Sequence, residues 1–272
     1  MIEIAISLAV IAFAMVAIMG ILPIGMSVQR DNRQETIINQ DASVYMDLIR
    51  NGERGMDDLT NYVMAITNYA AQYNQRGGLP VKLTKGYTLV NSTLNNALTS
   101  PQFPITNGCR IIGLLSTPKF TLVTPASFIS NHVVAWVRSI SGPASEKFPQ
   151  NNPAALELAL GYRLITEVAP YGTNFYDPSW ILPNRFPTNS LQYTNALSYS
   201  NYVNNLRTNL HDIRLTFRWP LQLNGDTGPG RYVFRTMAGG NIYATNDPIN
   251  GSLIGSPTNL YFFQPRTYVK AQ

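Results

Sequence analysis

IEIAISLAVIAFAMVAIMGILPIGM, residues 2–26, decides the fold. From Ile4 to Met26 it carries no charged side chain, and Ser7 is its only hydroxyl. At roughly 1.5 Å of rise per residue, such a run makes a helix about 35 Å long, enough to cross the apolar core of a bilayer. A helix that is apolar on every side has to be buried in lipid or in other protein. Its one acid, Glu3, stands at the amino end. A lone carboxylate there is costly unless it reaches water or finds a cation. A secretory signal would start with basic residues, carry a shorter apolar core and end at a small-residue cleavage site. Here Glu3 takes the basic position, and the chain runs on beyond Met26 into amphipathic sequence. An ordinary membrane anchor accounts for everything except Glu3.

Outward from this run, Gly20, Pro23 and Gly25 interrupt the apolar pattern. Proline lacks a backbone donor and crowds the preceding turn, so a kink or an unwound turn is expected at Pro23. Mixed charges follow at Arg30, Asp31, Arg33 and Glu35. Ile38, Ala42, Tyr45 and Ile49 then recur at helical spacing, with Ile37, Val44 and Leu48 beside them. That is an amphipathic face able to dock on a sheet. Asn51-Gly52 predicts the end of the helix.

The thirteen residues MIEIAISLAVIAF, Met1 to Phe13, resemble the amino-terminal helix of type IV pilins and the related pseudopilins. The resemblance covers about the first fifty residues: an apolar run, a single acid, then a long amphipathic helix. In that family a glutamate stands fifth in the mature chain and pairs with the terminal amine of a neighbouring subunit; here Glu3 is third. The resemblance therefore implies two further mature residues ahead of Met1, and a leader before them. It also implies a structural subunit that polymerises with copies of itself into a helical extracellular filament at the cell surface. Before assembly the subunit would wait in the inner membrane and meet a pilus assembly machinery. The residues implied in assembly are Glu3, Ile4, Leu8, Ile11, Phe13 and Pro23. In such filaments the stretch near Pro23 is often unravelled, which lends the shaft compliance. Two neighbouring readings are a minor pseudopilin of a secretion system and a single-pass, membrane-anchored surface binding protein.

Length and composition are consistent with one ordinary domain attached to a long helix: 272 residues, of which 45% are hydrophobic and only 13% charged. A net charge of +5 with a pI near 9.3 is too mild to indicate nucleic acid. Cys109 is the only cysteine, so no intrachain disulfide can form. An odd cysteine is a reactive thiol, an intermolecular link or a small buried hydrophobe, and Ile111, Ile112 and Leu114 beside it favour burial.

These readings give an α+β fold. A long N-terminal helix, hydrophobic then amphipathic (residues 1–52), packs on an antiparallel β-sheet globular domain (residues 53–272). Val63, Met64, Ile66 and Ala70, with Asp57 and Asp58 ahead of them, predict a second helix from about Met56 to Tyr73, stopped by Gly77, Gly78 and Pro80. Residues 82–108 read as loop, with Asn, Thr and Pro throughout. Strands are expected at Arg110–Leu115, His132–Ile140 and Leu156–Leu164, the last by clean alternation. A loop over Pro170–Ser190 and a short helix within Tyr202–Leu210 follow. The clearest hairpin pairs Ile213, Leu215, Phe217 and Trp219 with Arg231–Met237, and a last strand is expected at Leu260–Phe263.

Catalytic signatures are missing. His132 and His211 stand far apart, and no His-Glu-x-x-His, Gly-x-Ser-x-Gly, phosphate-binding glycine loop or cysteine pair is present. The expectation is a protein that is no enzyme, with no cofactor. One loop offers oxygens of the kind calcium takes, at Asn224, Asp226 and Thr227, with Asn246, Asp247 and Asn250 nearby; the same residues are ordinary turn formers. Asn91-Ser92-Thr93 and Asn250-Gly251-Ser252 are acceptor-type sequons for glycans. On the hairpin, Arg214, Arg218, Arg231 and Arg235 fall on one sheet face, where like charges repel. Acids of the same domain such as Glu157 and Glu167, an acidic patch on the next subunit, or a surface anion or glycan would offset them.

Overall fold

The computed structural model describes residues 2–52, 57–74, 79–80, 82–90, 102–103, 108–124, 127–142, 159–171, 186–222, 224–246 and 259–270. Helix α1 spans Ile2–Asn51, fifty residues. It passes through Pro23 without an unwound turn, so of the two outcomes expected there the unwound one does not occur. A proline removes one rung of the helical ladder, and the segment around Pro23 is exposed on all sides, so no packed neighbour draws that turn open. Gly52 ends the helix with φ +58°, a left-handed conformation natural to glycine. A Cβ at Gly52 would collide with the Phe263 carbonyl oxygen, so the position also admits the close approach of the last strand.

A short 3-10 turn, Asp57–Asn61, leads into strand β1, Val63–Tyr73. The helix expected over Met56–Tyr73 is therefore a strand, for a tertiary reason. β1 pairs on one edge with β2 (Lys82–Val90) and on the other with β5 (Ser127–Arg138), and these two ladders outweigh the helical spacing of its apolar residues. Val63, Ile66, Thr67 and Tyr69 are also residue types that suit a pleated surface. The loop expected over 82–108 holds β2, the two-residue β3 (Gln102–Phe103) and the start of helix α2. α2, Gly108–Leu115, replaces the strand expected at Arg110–Leu115. Every residue from Arg110 to Leu115 is buried, and the short apolar run Ile111–Leu115 does not by itself distinguish a buried helix from a strand.

β4 (Phe120–Thr124) and β6 (Gly161–Pro170) flank β5. Tyr162, Leu164, Thr166 and Val168 on β6 are buried in alternation, as half-buried pairing requires. The strand runs from Gly161 to Pro170; residues 156–158 of the strand expected over Leu156–Leu164 lie outside the described ones, as does most of the loop expected over Pro170–Ser190. Helix α3, Leu191–Asn209, is longer than the segment expected over Tyr202–Leu210. Ser190 caps it by accepting a bond from the Tyr193 N–H at 3.1 Å. The hairpin forms as expected, as β7 (Leu210–Leu221) and β8 (Thr227–Gly239).

The sheet order is β3-β2-β1-β5-β6-β7-β8, with β4 beside β5; its pairs are antiparallel except β2 with β3. β9 (Asn241–Asn246) and β10 (Asn259–Gln264) form a separate ribbon. The fold is thus α+β, a long N-terminal helix packed on an antiparallel sheet. One core joins Ile38, Tyr45 and Ile49 of α1, Ile111 and Ile112 of α2, Leu164, Ile213, Leu215 and Phe217 of the sheet, and Phe262 of the ribbon.

With no disulfide available, the carboxy-terminal region is held by other means. Leu260, Phe262 and Phe263 are buried. The Asn209 amide donates to the Val269 carbonyl and accepts from the Val269 N–H, both at 2.7 Å. Cys109 itself is half-buried in α2, packed against the core.

His211 lies on the core-facing side of β7, edge-on to the Phe263 ring at 5.4 Å. Desolvation lowers its pKa to about 4. In the unfolded chain histidine titrates near 6.5, so between about 6.5 and 4 the unfolded state binds the proton and the folded state does not. Stability is therefore full above about pH 6.5 and declines as the pH falls toward 4, by about 3 kcal/mol from this group. Denaturant titrations at pH 7.5, 5.5 and 4.5 check this: His211→Gln is expected to lose much less stability over that range than the wild type.

Candidate assembly surface

The first half of α1 makes no contact that buries it. Sixteen large apolar side chains between Ile2 and Val28 are exposed, among them Ile4, Leu8, Ile11 and Phe13, the last at 79%. Burying each is worth about 1.5–3 kcal/mol, so tens of kcal/mol favour removing this rod from water, more than the whole stability of an ordinary domain. The helix is long and apolar enough to cross a membrane. Within it, the Ser7 and Ser27 hydroxyls donate to the Ile4 and Ile24 carbonyls at 2.9 Å, so neither offers an open polar group to lipid. Glu3 occupies the first turn, where the helix dipole favours an acid by about 0.3–1 kcal/mol. That is far less than burying it unpaired would cost.

The second half of α1 is built into the domain. Asp41 is fully buried there. Its carboxylate accepts from the Ile140 N–H at 3.0 Å, the Ser141 N–H at 2.8 Å and the Tyr162 hydroxyl at 2.8 Å. Burial raises its pKa, and these donors pull the other way. The group ties the helix to the end of β5 and the start of β6. Sequence reading passed over Asp41, although the signal was present: it lies three residues after Ile38 and four before Tyr45, on the core stripe. An acid at a core position implies donors waiting for it.

On the opposite sheet face the register sets the four hairpin arginines in two rows. Glu167, Arg214 and Arg235 face one another across β6, β7 and β8. Here the domain's own acids serve: Glu167 takes Lys119 at 2.8 Å and Arg214 at 3.5 Å, and Asp212 holds Arg235 through two bonds at 2.7 and 2.9 Å. The other row is Arg163, Arg218 and Arg231, and no ion pair is made to it among the described residues. Glu157 lies outside the described residues.

The remaining sequence candidates are dispersed. His132 lies beside Tyr69 on the outer face, the rings tilted at 44° with centroids 6.4 Å apart, whereas His211 points into the core, so the two histidines are on opposite sides of the sheet. His211 and Asp212, neighbours on a strand, likewise face opposite ways. In the loop proposed for calcium, the Asn224 amide donates to the Asp226 carboxylate at 2.8 Å, and the Asp226 N–H donates back to the Asn224 side-chain oxygen at 3.0 Å. Thr227 opens β8. Among the described residues no three His, Cys, Asp or Glu side chains cluster as a metal site would require. Asp247, Asn250 and both sequons lie outside the described residues.

No family model, no curated protein and no solved structure matches the chain.

Proposed function

We propose that this protein is a structural subunit of an extracellular, type IV pilus-like filament, held in a membrane by α1 before assembly and polymerised through the same helix. One observation carries the reading: a single unbroken helix is an exposed apolar rod for its first half and a core element of the domain for its second. A rod continuous with the core transmits axial load directly into the sheet, with Asp41 as its polar fixture. A flexible anchor would need no such continuity. Mixed charges at Arg30, Asp31 and Arg33 stand where the rod would leave an apolar medium. Glu3 gives that rod a reason for a defined partner, because an acid enclosed among apolar helices must meet a cation.

Electron microscopy of material sheared from cells, with the filaments identified by mass spectrometry, tests the reading. Filaments composed mainly of this chain are expected. Surface protein that stays membrane-bound, with no filament containing it, overturns the proposal in favour of a membrane-anchored binding protein.

A further inference from the structure

We propose that the outer face of the sheet carries a binding site for a tetrahedral oxyanion, a phosphate or sulfate group, built from Arg163, Arg218 and Arg231. These residues sit on three successive strands in direct register, Arg163 opposite Arg218 and Arg218 opposite Arg231. Neighbouring strands lie about 4.8 Å apart, so three guanidinium groups share roughly 10 Å of one face. Like charges placed directly opposite destabilise a sheet. The row four register pairs along solves this internally, with Glu167 and Asp212 among its arginines and Lys119. This row does not. No ion pair reaches it among the described residues, and the Nε atoms of Arg163 and Arg218 are buried without an acceptor.

The row is also closed at one end and open at the other. Trp136 stands opposite Arg163, and its indole Nε1 lies 3.5 Å from the Gly225 oxygen, so the tip of the β7–β8 hairpin sits over that end. Arg163 and Arg218 are half-buried, and Arg231 is exposed. Partial enclosure weakens screening and strengthens the attraction for an anion. Three cations favour a tetrahedral dianion over a carboxylate. A carboxylate brings one charge and two oxygens, enough for a single bidentate arginine. A phosphate or sulfate brings more oxygens and reaches guanidinium groups on adjacent strands at once. The anion arrives either free or as an ester on a surface polysaccharide; the chemistry at the row is the same. The site is independent of how α1 assembles.

Calorimetry and thermal unfolding of the full chain in a non-ionic detergent test the site. The probes are inorganic phosphate, inorganic sulfate and dextran sulfate, with neutral dextran as the control. Wild type is expected to bind the anions, weaken as salt is added, and melt at a higher temperature in their presence. Arg218→Gln relieves the repulsion, so it is expected to melt no lower than wild type without anion. It should bind roughly tenfold more weakly and lose most of the anion-induced shift in melting temperature. Dextran sulfate binding much more tightly than inorganic sulfate at equal sulfate concentration assigns the ester as the source; equal binding assigns the free ion. Equal anion binding by wild type and Arg218→Gln overturns the site, as does no binding by either. A lower melting temperature of Arg218→Gln without anion overturns it too, and assigns the arginines to the domain's own stability.

Discussion

Glu3→Ala is expected to leave the protein in the membrane at normal abundance and to reduce filament yield severely. In a filament the amino ends of α1 would lie among other apolar helices, since Ile4, Leu8, Ile11 and Phe13 follow the acid in sequence and are exposed in the single chain. A carboxylate enclosed there has to be matched by a cation, and the resemblance to type IV pilins points to the amino terminus of a neighbouring subunit as that cation. Removing one partner of a buried pair costs about 3–5 kcal/mol, because the other charge is left stranded. Per subunit contact this is a factor of about a hundred to several thousand in the equilibrium, repeated at every addition. Immunoblotting of sheared and membrane fractions separates assembly from insertion. Normal filament yield in Glu3→Ala removes the pairing. Glu3→Gln distinguishes charge from size: if charge neutralisation is what assembly needs, Gln fails nearly as badly as Ala.

Asp41→Ala is expected to destabilise the domain by about 3–5 kcal/mol and to loosen α1 from the sheet. The substitution leaves two backbone N–H groups, at Ile140 and Ser141, and the Tyr162 hydroxyl without their acceptor in a buried place. Each orphaned donor costs about 1–3 kcal/mol. Asp41→Asn keeps one oxygen but turns an amide donor toward the others, so an intermediate loss is expected. Thermal and denaturant unfolding of the full chain in detergent measures both. The pH dependence differs in sign from that of His211. Burial raises the Asp41 pKa above its usual carboxylate value, so the folded state holds the proton more tightly there and this group's contribution falls as the pH rises through that range. Stability of Asp41→Asn relative to wild type should therefore improve slightly as the pH rises from about 4. An Asp41→Ala variant as stable as wild type would show that the carboxylate is not what fixes the helix.

The sequence by itself determined the elements with strong periodicity. The docking stripe of Ile38, Ala42, Tyr45 and Ile49 and the alternation of Ile213, Leu215, Phe217 and Trp219 each state which side is buried, while the apolar run of residues 2–26 states a helix with no side made for water. They do so because one residue in every turn, or every second residue, meets the same environment. Turn chemistry was equally legible at Gly52, where the backbone needs a left-handed residue. Tertiary structure alone decided Val63–Tyr73 and Gly108–Leu115. In the first, two flanking strands supply ladders that no local spacing announces. In the second, burial on all sides erases the periodicity that would separate helix from strand. The rows of charge were decided at the same level. Arg214 and Arg218 look equivalent along β7, but register places Glu167 beside the first and Arg163 beside the second. Which arginine is neutralised within the chain, and which is left to meet an anion, depends on strand partners far away in sequence, because pairing sets each side chain's neighbours.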